Sequence, residues 1–438
     1  MDSLQLFSIR SIKNIGIFFI CSTFSKGFSL LLTPFLLYHL SPSQIGLLSL
    51  FNSFIALFSI LLSGGLRSVL WLNFFHLNLY QQRQQICSIV NVYISYALPL
   101  TIVSIFLWSA IIFVIKDYAS VNLLDIYIAG LESCYICFTL FFFELLIQLE
   151  TYQQRPQTIL FLYFLNCLGS LLGIFIMLTA KPAISIALSG QLFGISITIA
   201  AGYYCDLWGY FDQLKFCSWS CIKASLRQSF IFIPSVIAGW ILGSSSRWIL
   251  AYYISLDEAA LYSIVELCST AFYACILQPI GNGYLPVLLS NFSNSYSSIA
   301  ASDNKNHKIM ILCMITVGIL GLLLYTVAQA YLVYLLPEFY RKALPYCLIS
   351  FVGNIALLGT YFTTALPHFY KKSYFLVSSI VATSFVSVYL NLLLVPRYRL
   401  LGSCIALLIA HTLYFVATVA YNRHLHGSFI FEQIQPQS

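Results

Sequence analysis

Charged residues are scarce in this chain. Lys, Arg, Asp and Glu together make up 8% of its 438 residues, whereas hydrophobic residues make up 60%. A soluble domain carries about 25% charged residues, so a soluble globular protein is excluded. Long polar loops are missing as well, because the longest ones, near residues 206–222 and 291–307, have fewer than twenty residues each. No soluble domain fits between the apolar runs.

Apolar runs occupy most of the remaining sequence. A membrane-spanning helix needs roughly 20 predominantly apolar residues, and by this measure the chain contains twelve candidate spans. They are residues 14–38, 46–66, 87–115, 120–147, 157–180, 183–205, 226–254, 259–289, 309–336, 343–366, 373–395 and 402–421. The first run lacks a small-residue cleavage site and is followed at once by further runs, so we expect a retained span there.

The distribution of Lys and Arg indicates the orientation of the chain. If the N-terminus is cytoplasmic, thirteen of the 21 Lys and Arg residues lie on that side and six on the other, while Lys26 and Arg247 lie within spans. Because basic residues favour cytoplasmic loops, the sequence predicts that both termini are cytoplasmic. The same bias explains the net charge of +7, which is therefore poor evidence for nucleic-acid binding.

Cysteine is more frequent, with thirteen residues. Most of them lie within apolar spans, where cysteine behaves as a small hydrophobic residue. Cys134-x-x-Cys137 and Cys217-x-x-x-Cys221 have a spacing that suits metal ligands, but neither has a second Cys or His pair at the distance of a zinc site. We therefore expect no metal site and no cofactor.

Two short segments half a chain apart resemble each other. Residues 40–50 and 254–264 are separated by 214 positions, and each stands between two long apolar runs. Both begin with the pattern of a capping box, in which a Ser hydroxyl and a Gln or Glu three residues later satisfy each other's backbone N–H groups. The predicted boxes consist of Ser41 with Gln44 and Ser255 with Glu258.

A repeat of half the chain length predicts two similar lobes. Six helices per repeat is an even number, so both repeats enter the membrane in the same direction, with the substrate path between them. We therefore predict an all-α integral membrane protein with about twelve transmembrane helices in two parallel six-helix lobes around a central cavity. The predicted division is an N-terminal lobe (1–205), a cytoplasmic linker (206–222), a C-terminal lobe (223–421) and a cytoplasmic tail (422–438).

Four segments resemble the polysaccharide transporters of the multidrug/oligosaccharidyl-lipid/polysaccharide (MOP) superfamily, in particular O-antigen flippases of the Wzx type. These segments are Lys26–Leu47, Glu150–Ile159, Phe232–Leu250 and Asn391–Ala406, and their order and spacing cover nearly the whole chain. Two positions depart from the family pattern. Ser246 stands where the family often has Asp before the Arg, and Arg399 stands where Gly is usual.

The resemblance implies a flippase and not an enzyme. Its substrate would be an undecaprenyl-pyrophosphate-linked oligosaccharide, an O-antigen or other surface polysaccharide unit, moved across the bacterial cytoplasmic (inner) membrane by alternating access. The implied partners are this lipid-linked oligosaccharide, membrane lipid, a glycan polymerase and a chain-length regulator. Nucleic acid is not among them.

Three cations are candidate contacts for the pyrophosphate: Lys26, Arg67 and Arg247. A charge inside the bilayer costs at least ~2.5 kcal/mol and usually faces a cavity or a partner, and Arg can bind phosphate oxygens through two hydrogen bonds. The alternative for Lys26 is that it snorkels or pairs with Glu266 or Glu144, and Arg67 could be a cytoplasmic anchor.

Three carboxylates, Glu132, Glu144 and Glu266, are candidates for ion coupling. Burial makes the protonation of a carboxylate depend on its surroundings, so each could carry a coupling proton or cation. Each could equally be a counter-ion to a buried Lys or Arg.

Two other functions compete with the flippase. A drug/cation antiporter of the same superfamily would also have twelve spans, but it would need a cavity rich in carboxylates. A membrane glycan polymerase, ligase or glycosyltransferase commonly carries a large external loop, and this chain has none of sufficient length.

Overall fold

The structure is a computed structural model. It describes residues 33–66, 79–115, 122–152, 155–179, 183–203, 219–229, 233–277, 299–369 and 373–434. These residues are helical apart from short turns and helix ends, and they contain no β-strand. The prediction of an all-α fold is confirmed for this part of the chain.

In the described part of the chain, thirteen helices follow a short helical segment at residues 33–39. They are α1 (Pro42–Ser63), α2 (Leu79–Ile115), α3 (Leu123–Tyr152), α4 (Pro156–Thr179), α5 (Ile184–Gly202), α6 (Trp219–Ser229), α7 (Ile233–Tyr253), α8 (Leu256–Phe272), α9 (Ile299–Leu335), α10 (Glu338–Arg341), α11 (Leu344–Thr363), α12 (Ala365–Phe369) and α13 (Ser373–Ile434). A π-helical turn, Tyr273–Leu277, continues α8.

Eight helices in the described residues are long and apolar enough to cross a membrane. Their candidate spans are Pro42–Ser63, Tyr80–Phe106, Leu123–Thr151, Gln157–Ile176, Ile184–Gly202, Asn306–Leu323, Leu344–Pro367 and Tyr374–Leu425. Every apolar run of the sequence except the first coincides with a described helix over much of its length, and the first is described only from residue 33. The predicted membrane class is therefore confirmed, and twelve spans are consistent with the structure.

The longest helix, α13, is in fact two helices joined at a sharp bend. Its 62 residues would extend roughly 90 Å at 1.5 Å per residue, about three times the hydrocarbon thickness of a bilayer. The helix is interrupted at Arg399, where φ is 51° and ψ is −129°. A Cβ on Gly402 would lie 2.6 Å from the Leu394 carbonyl oxygen, so only glycine fits this close approach. The bend separates the predicted spans 373–395 and 402–421.

The first predicted capping box is confirmed. The Gln44 N–H donates to Ser41 Oγ at 3.3 Å, and the Ser41 N–H donates to Gln44 Oε1 at 2.9 Å. The helix that starts here, α1, ends at Gly64, whose φ of 54° is the left-handed conformation typical of a helix C-terminus.

The second predicted capping box is only half formed, so that prediction was wrong in part. The Glu258 N–H donates to Ser255 Oγ at 3.2 Å. The Ser255 N–H, however, donates to the Leu250 carbonyl oxygen at 3.1 Å, so it does not need the Glu258 carboxylate. That carboxylate lies 3.9 Å from the Arg399 guanidinium instead. The Glu258 carboxylate therefore lies near a cation on α13 and does not form the second hydrogen bond of the capping box.

The chain divides into two compact units. The first is Phe35–Trp240, and the second contains the residues from Ile241 onward. Residues 206–218 of the predicted linker lie outside the described residues, so the predicted division into lobes remains a prediction.

Glycines bring α4 and α5 of the first unit into close contact. A Cβ on Gly173 would lie 2.0 Å from the Gly190 Cα, and a Cβ on Gly169 would lie 2.4 Å from the Gly194 Cα. Each helix thus presents a Gly-x-x-x-Gly pair to the other. Small residues at this spacing let backbones approach closely in a bilayer, where dispersion contacts replace the hydrophobic effect between helices.

Candidate functional site

An ion pair joins α7 and α8 in the second unit. The guanidinium of Arg247 on α7 contacts the carboxylate of Glu266 on α8, and the two side chains are only 11% and 21% exposed. A buried charge in a membrane protein needs a partner of opposite sign, because water is not available to solvate it. The pair therefore allows both groups to be charged inside the protein.

Hydrogen bonds tie the neighbouring residue, Ser246, to the first half of α13. Its hydroxyl donates to Asn391 Oδ1 at 3.1 Å, and Asn391 Nδ2 donates to the Ser387 carbonyl oxygen at 2.9 Å. Ser246 and Asn391 are fully buried. Ser246 is one of the two positions that depart from the family pattern.

Polar side chains continue along one side of α8 and into the π-helical turn. Tyr262, Glu266, Ser269 and Tyr273 follow one another at intervals of four, three and four residues, which places them on one helix face. Tyr262 is 1% exposed and lies beside Arg247 and Ser246.

Two contacts from α11 complete this polar face. Asn354 Nδ2 donates to Ser269 Oγ at 2.5 Å, and the hydroxyls of Tyr273 and Tyr361 are hydrogen-bonded to each other. The second unit therefore contains several paired polar groups along one face of α8 and its π-helical turn. The spacing along α8 was visible in the sequence, but the partners on α11 were not.

A second polar contact lies between α3 and α5 of the first unit. The Ser189 hydroxyl donates to Glu132 Oε1. The other carboxylate oxygen, Oε2, is buried and has no hydrogen-bond partner among the described residues. Glu132 is thus one of the predicted carboxylates that lies inside a helix pair.

Asp125, which the sequence did not single out, caps α5 from the neighbouring helix α3. Its two carboxylate oxygens accept hydrogen bonds from the backbone N–H groups of Ile184 at 2.9 Å and Ser185 at 2.8 Å. The residue that precedes α5 is Ala183, which has no capping side chain. A carboxylate at a helix N-terminus satisfies free N–H groups and interacts favourably with the helix dipole.

The remaining predicted site residues are distributed as follows. Lys26 and Arg67 lie outside the described residues. Glu144 is half-buried on α3 of the first unit. Arg247 and Glu266 are brought together in the second unit, whereas Glu132 and Glu144 both belong to the first.

Within the described ranges, no three His, Cys, Asp or Glu side chains are grouped so that they could hold a metal ion. Cys134 and Cys137 are fully buried, and the Cys137 thiol donates to the Ile55 carbonyl oxygen at 3.6 Å.

These features define a class: an all-helical, multi-pass membrane protein with charged and polar groups buried within its helices. Its fold is similar to that of solved transporters of the MOP superfamily. No family model matches the chain, and no curated protein matches it. Proteins similar to this chain are found among solved structures.

An inward-facing MATE multidrug-resistance transporter of the MOP superfamily is 12% identical, with a TM-score of 0.68 over 95% of this chain and 98% of its own. The lipid II flippase MurJ in an inward closed conformation is 14% identical, with a TM-score of 0.69 over 94% of this chain and 87% of its own. A MOP superfamily transporter from Pyrococcus furiosus is 12% identical, with a TM-score of 0.54 over 98% of both chains. At these identities the likeness establishes the fold alone.

Proposed function

We propose that this protein is a flippase that moves an undecaprenyl-pyrophosphate-linked oligosaccharide across the bacterial cytoplasmic membrane. The observation that carries the proposal is the cation of Arg247, which is buried within the second unit and is held by Glu266. A guanidinium that exchanges its carboxylate partner for a pyrophosphate gains a bidentate contact, whereas it offers no favourable contact to a drug cation. The MurJ lipid II flippase has a similar fold, which supports a lipid-linked substrate.

The proposed mechanism is an exchange of partners at Arg247. Without substrate, Glu266 neutralises the guanidinium. When the pyrophosphate arrives, the guanidinium binds two of its oxygens in parallel and leaves the carboxylate. A carboxylate without its partner in an apolar interior favours the binding of a proton or a cation. Substrate binding would therefore be linked to ion uptake at Glu266.

Other residues are assigned supporting roles in the proposal. Lys26 and Arg67 are further pyrophosphate contacts, and Glu132 and Glu144 are either coupling groups or counter-ions. Both termini are cytoplasmic, and the two lobes alternate access by rocking about a central cavity. A glycan polymerase and a chain-length regulator would act on the exported unit.

The test must separate substrate binding from structural support, because removal of one member of a buried ion pair destabilises a protein by about 3–5 kcal/mol. The informative variant is Arg247→Gln/Glu266→Gln, which removes both charges and retains similar shapes. It is compared with Glu266→Gln and with Arg423→Gln, a control at an exposed position. Proteoliposomes are loaded with a fluorescent short-chain polyprenyl-pyrophosphate disaccharide, and its appearance in the other leaflet is followed by quenching.

The double variant is expected to melt near the wild-type temperature and to lose at least about tenfold in translocation rate, which corresponds to 1.4 kcal/mol. Arg423→Gln is expected to transport normally. A double variant that is folded and flips the lipid at the wild-type rate would remove Arg247 from the substrate site.

A drug/cation antiporter is the second candidate. Two observations favour it: the fold similarity to MATE transporters and the buried Oε2 of Glu132, which has no hydrogen-bond partner among the described residues. In the same proteoliposomes, an antiporter would accumulate a cationic dye when a proton or sodium gradient is imposed, and Glu132→Gln would abolish this. The flippase proposal expects no gradient-driven dye uptake. An enzyme that acts on the lipid-linked glycan has no support among these structural neighbours, which are transporters.

A further inference from the structure

The helix α6, Trp219–Ser229, is amphipathic and is not among the candidate spans. Ile222 and Ser229 are buried on one side, whereas Trp219, Lys223 and Arg227 are exposed on the other. The three exposed residues are spaced four apart and therefore form one stripe along the helix. We call Trp219, Lys223 and Arg227 the basic stripe.

The buried side of α6 packs against the turn that ends α1. A Cβ on Gly65 would lie 2.7 Å from the Ser229 carbonyl oxygen, and a Cβ on Gly64 would lie 2.9 Å from Leu226 Cδ2. Both glycines have positive φ values, so side chains are disfavoured there by conformation as well as by space. Because α1 is a candidate span that ends at Ser63, the turn lies where the chain leaves the bilayer, and α6 is fixed at that level.

The composition of the basic stripe fits the surface of an anionic membrane. The helix contains two cations and no acidic residue. Trp is enriched at membrane–water interfaces because its ring is apolar and its N–H is polar. Lys and Arg beside it attract anionic headgroups, while the side of α6 with Ile222, Leu226 and Ser229 is already packed against protein.

We propose that the basic stripe binds the headgroups of anionic phospholipids, with Trp219 at the boundary between headgroups and acyl chains. This binding is independent of the transported substrate. It would anchor α6 and the turn after α1 to the membrane surface.

The test uses the full-length protein in phosphatidylcholine vesicles that contain increasing fractions of phosphatidylglycerol. In each measurement one of the two lipids carries brominated acyl chains, which quench the fluorescence of nearby Trp residues. In the wild type, brominated phosphatidylglycerol is expected to quench more strongly than brominated phosphatidylcholine. Trp219→Phe should lose this excess quenching. Lys223→Gln/Arg227→Gln should raise the phosphatidylglycerol fraction needed for half-maximal quenching, by up to about fivefold for each cation removed.

The matched control is Lys308→Gln/Arg423→Gln, which removes two exposed cations from the second unit and is expected to behave as the wild type. Raising the salt concentration should weaken the preference of the wild type, because the charges are exposed and screened. The proposal is overturned if the two brominated lipids quench the wild type equally, if Trp219→Phe retains the excess quenching, or if the two double variants have the same lipid preference. Melting temperatures of all variants are measured in parallel to confirm that they are folded.

Discussion

Replacement of Arg399 by glycine should stabilise the protein. Among the described residues, Arg399 is the one non-glycine residue with a positive φ, and its ψ of −129° lies outside the left-handed helical region as well. A backbone held in such a conformation costs about 1–3 kcal/mol when the residue carries a Cβ. Glycine removes that cost because it has no Cβ.

Two losses reduce the gain from this replacement. Glycine has more freedom in the unfolded chain, which costs about 0.5–1 kcal/mol. The replacement also removes the contact with Glu258 at 3.9 Å; since the Arg399 side chain is 70% exposed, this pair contributes about 0–1 kcal/mol. The expected net effect of Arg399→Gly is a stabilisation of about 1 kcal/mol, or a rise of roughly 1–2 °C in melting temperature for a chain of this size.

The assay compares Arg399→Gly with Arg399→Ala by thermal unfolding in detergent, followed by Trp fluorescence. Both variants lose the contact with Glu258, but alanine keeps the Cβ and therefore the strain. The difference between them isolates the backbone contribution. We expect the glycine variant to melt above both the alanine variant and the wild type. A glycine variant that melts below the alanine variant would refute the assignment of strain to Arg399.

Three further predictions concern helix packing, capping and pH. Gly173→Ala should destabilise the protein by about 1–3 kcal/mol, because the added Cβ would lie 2.0 Å from the Gly190 Cα. The control is Gly239→Ala, whose added Cβ meets nothing within 4 Å. This control variant should melt no lower than the wild type. Asp125→Ala should lower the free energy of unfolding by about 1–2 kcal/mol, because the cap on α5 is lost. Asp125→Asn should lower it less in the same melting assay, since its amide oxygen still accepts one hydrogen bond. Equal destabilisation by the two variants would contradict the capping role. Glu258 lies just before the predicted span 259–289, and burial raises its pKa above the usual 4.5, an effect that Arg399 opposes. A raised pKa means that ionisation destabilises the folded state, so the melting temperature of the wild type should fall relative to Glu258→Gln as the pH rises from about 4.5 towards neutrality. A pH-independent difference would argue against this.

The sequence was informative wherever structure depends on neighbouring residues. The apolar runs identified the membrane helices because a span needs only length and apolarity, which are local properties. The first capping box, Ser41 with Gln44, was predictable for the same reason, since both of its hydrogen bonds join residues three positions apart. The unusual residue at 399 was also visible, as a departure from a position where glycine is usual.

Predictions that depended on distant residues were less complete. The Glu258 carboxylate follows the pattern of a capping box, yet it lies near Arg399, which is 141 positions away in the chain. Buried charges could be recognised in the sequence, but the pairing of Glu266 with Arg247 could not be chosen among the alternatives. Asp125 was overlooked because the N–H groups that it caps belong to a helix that begins 59 residues later.

The sequence by itself therefore determined that this protein is an all-helical membrane protein and in which parts of the chain most of its membrane helices lie. Hydrophobicity, helix length and local caps depend on residues that are close in the chain, so they can be recognised from the amino-acid sequence. The tertiary structure alone decided which charges are partners, which carboxylate caps α5, and which glycines of α4 and α5 face each other. Those outcomes depend on how helices are rotated and offset against one another, and this is set by packing over the whole unit.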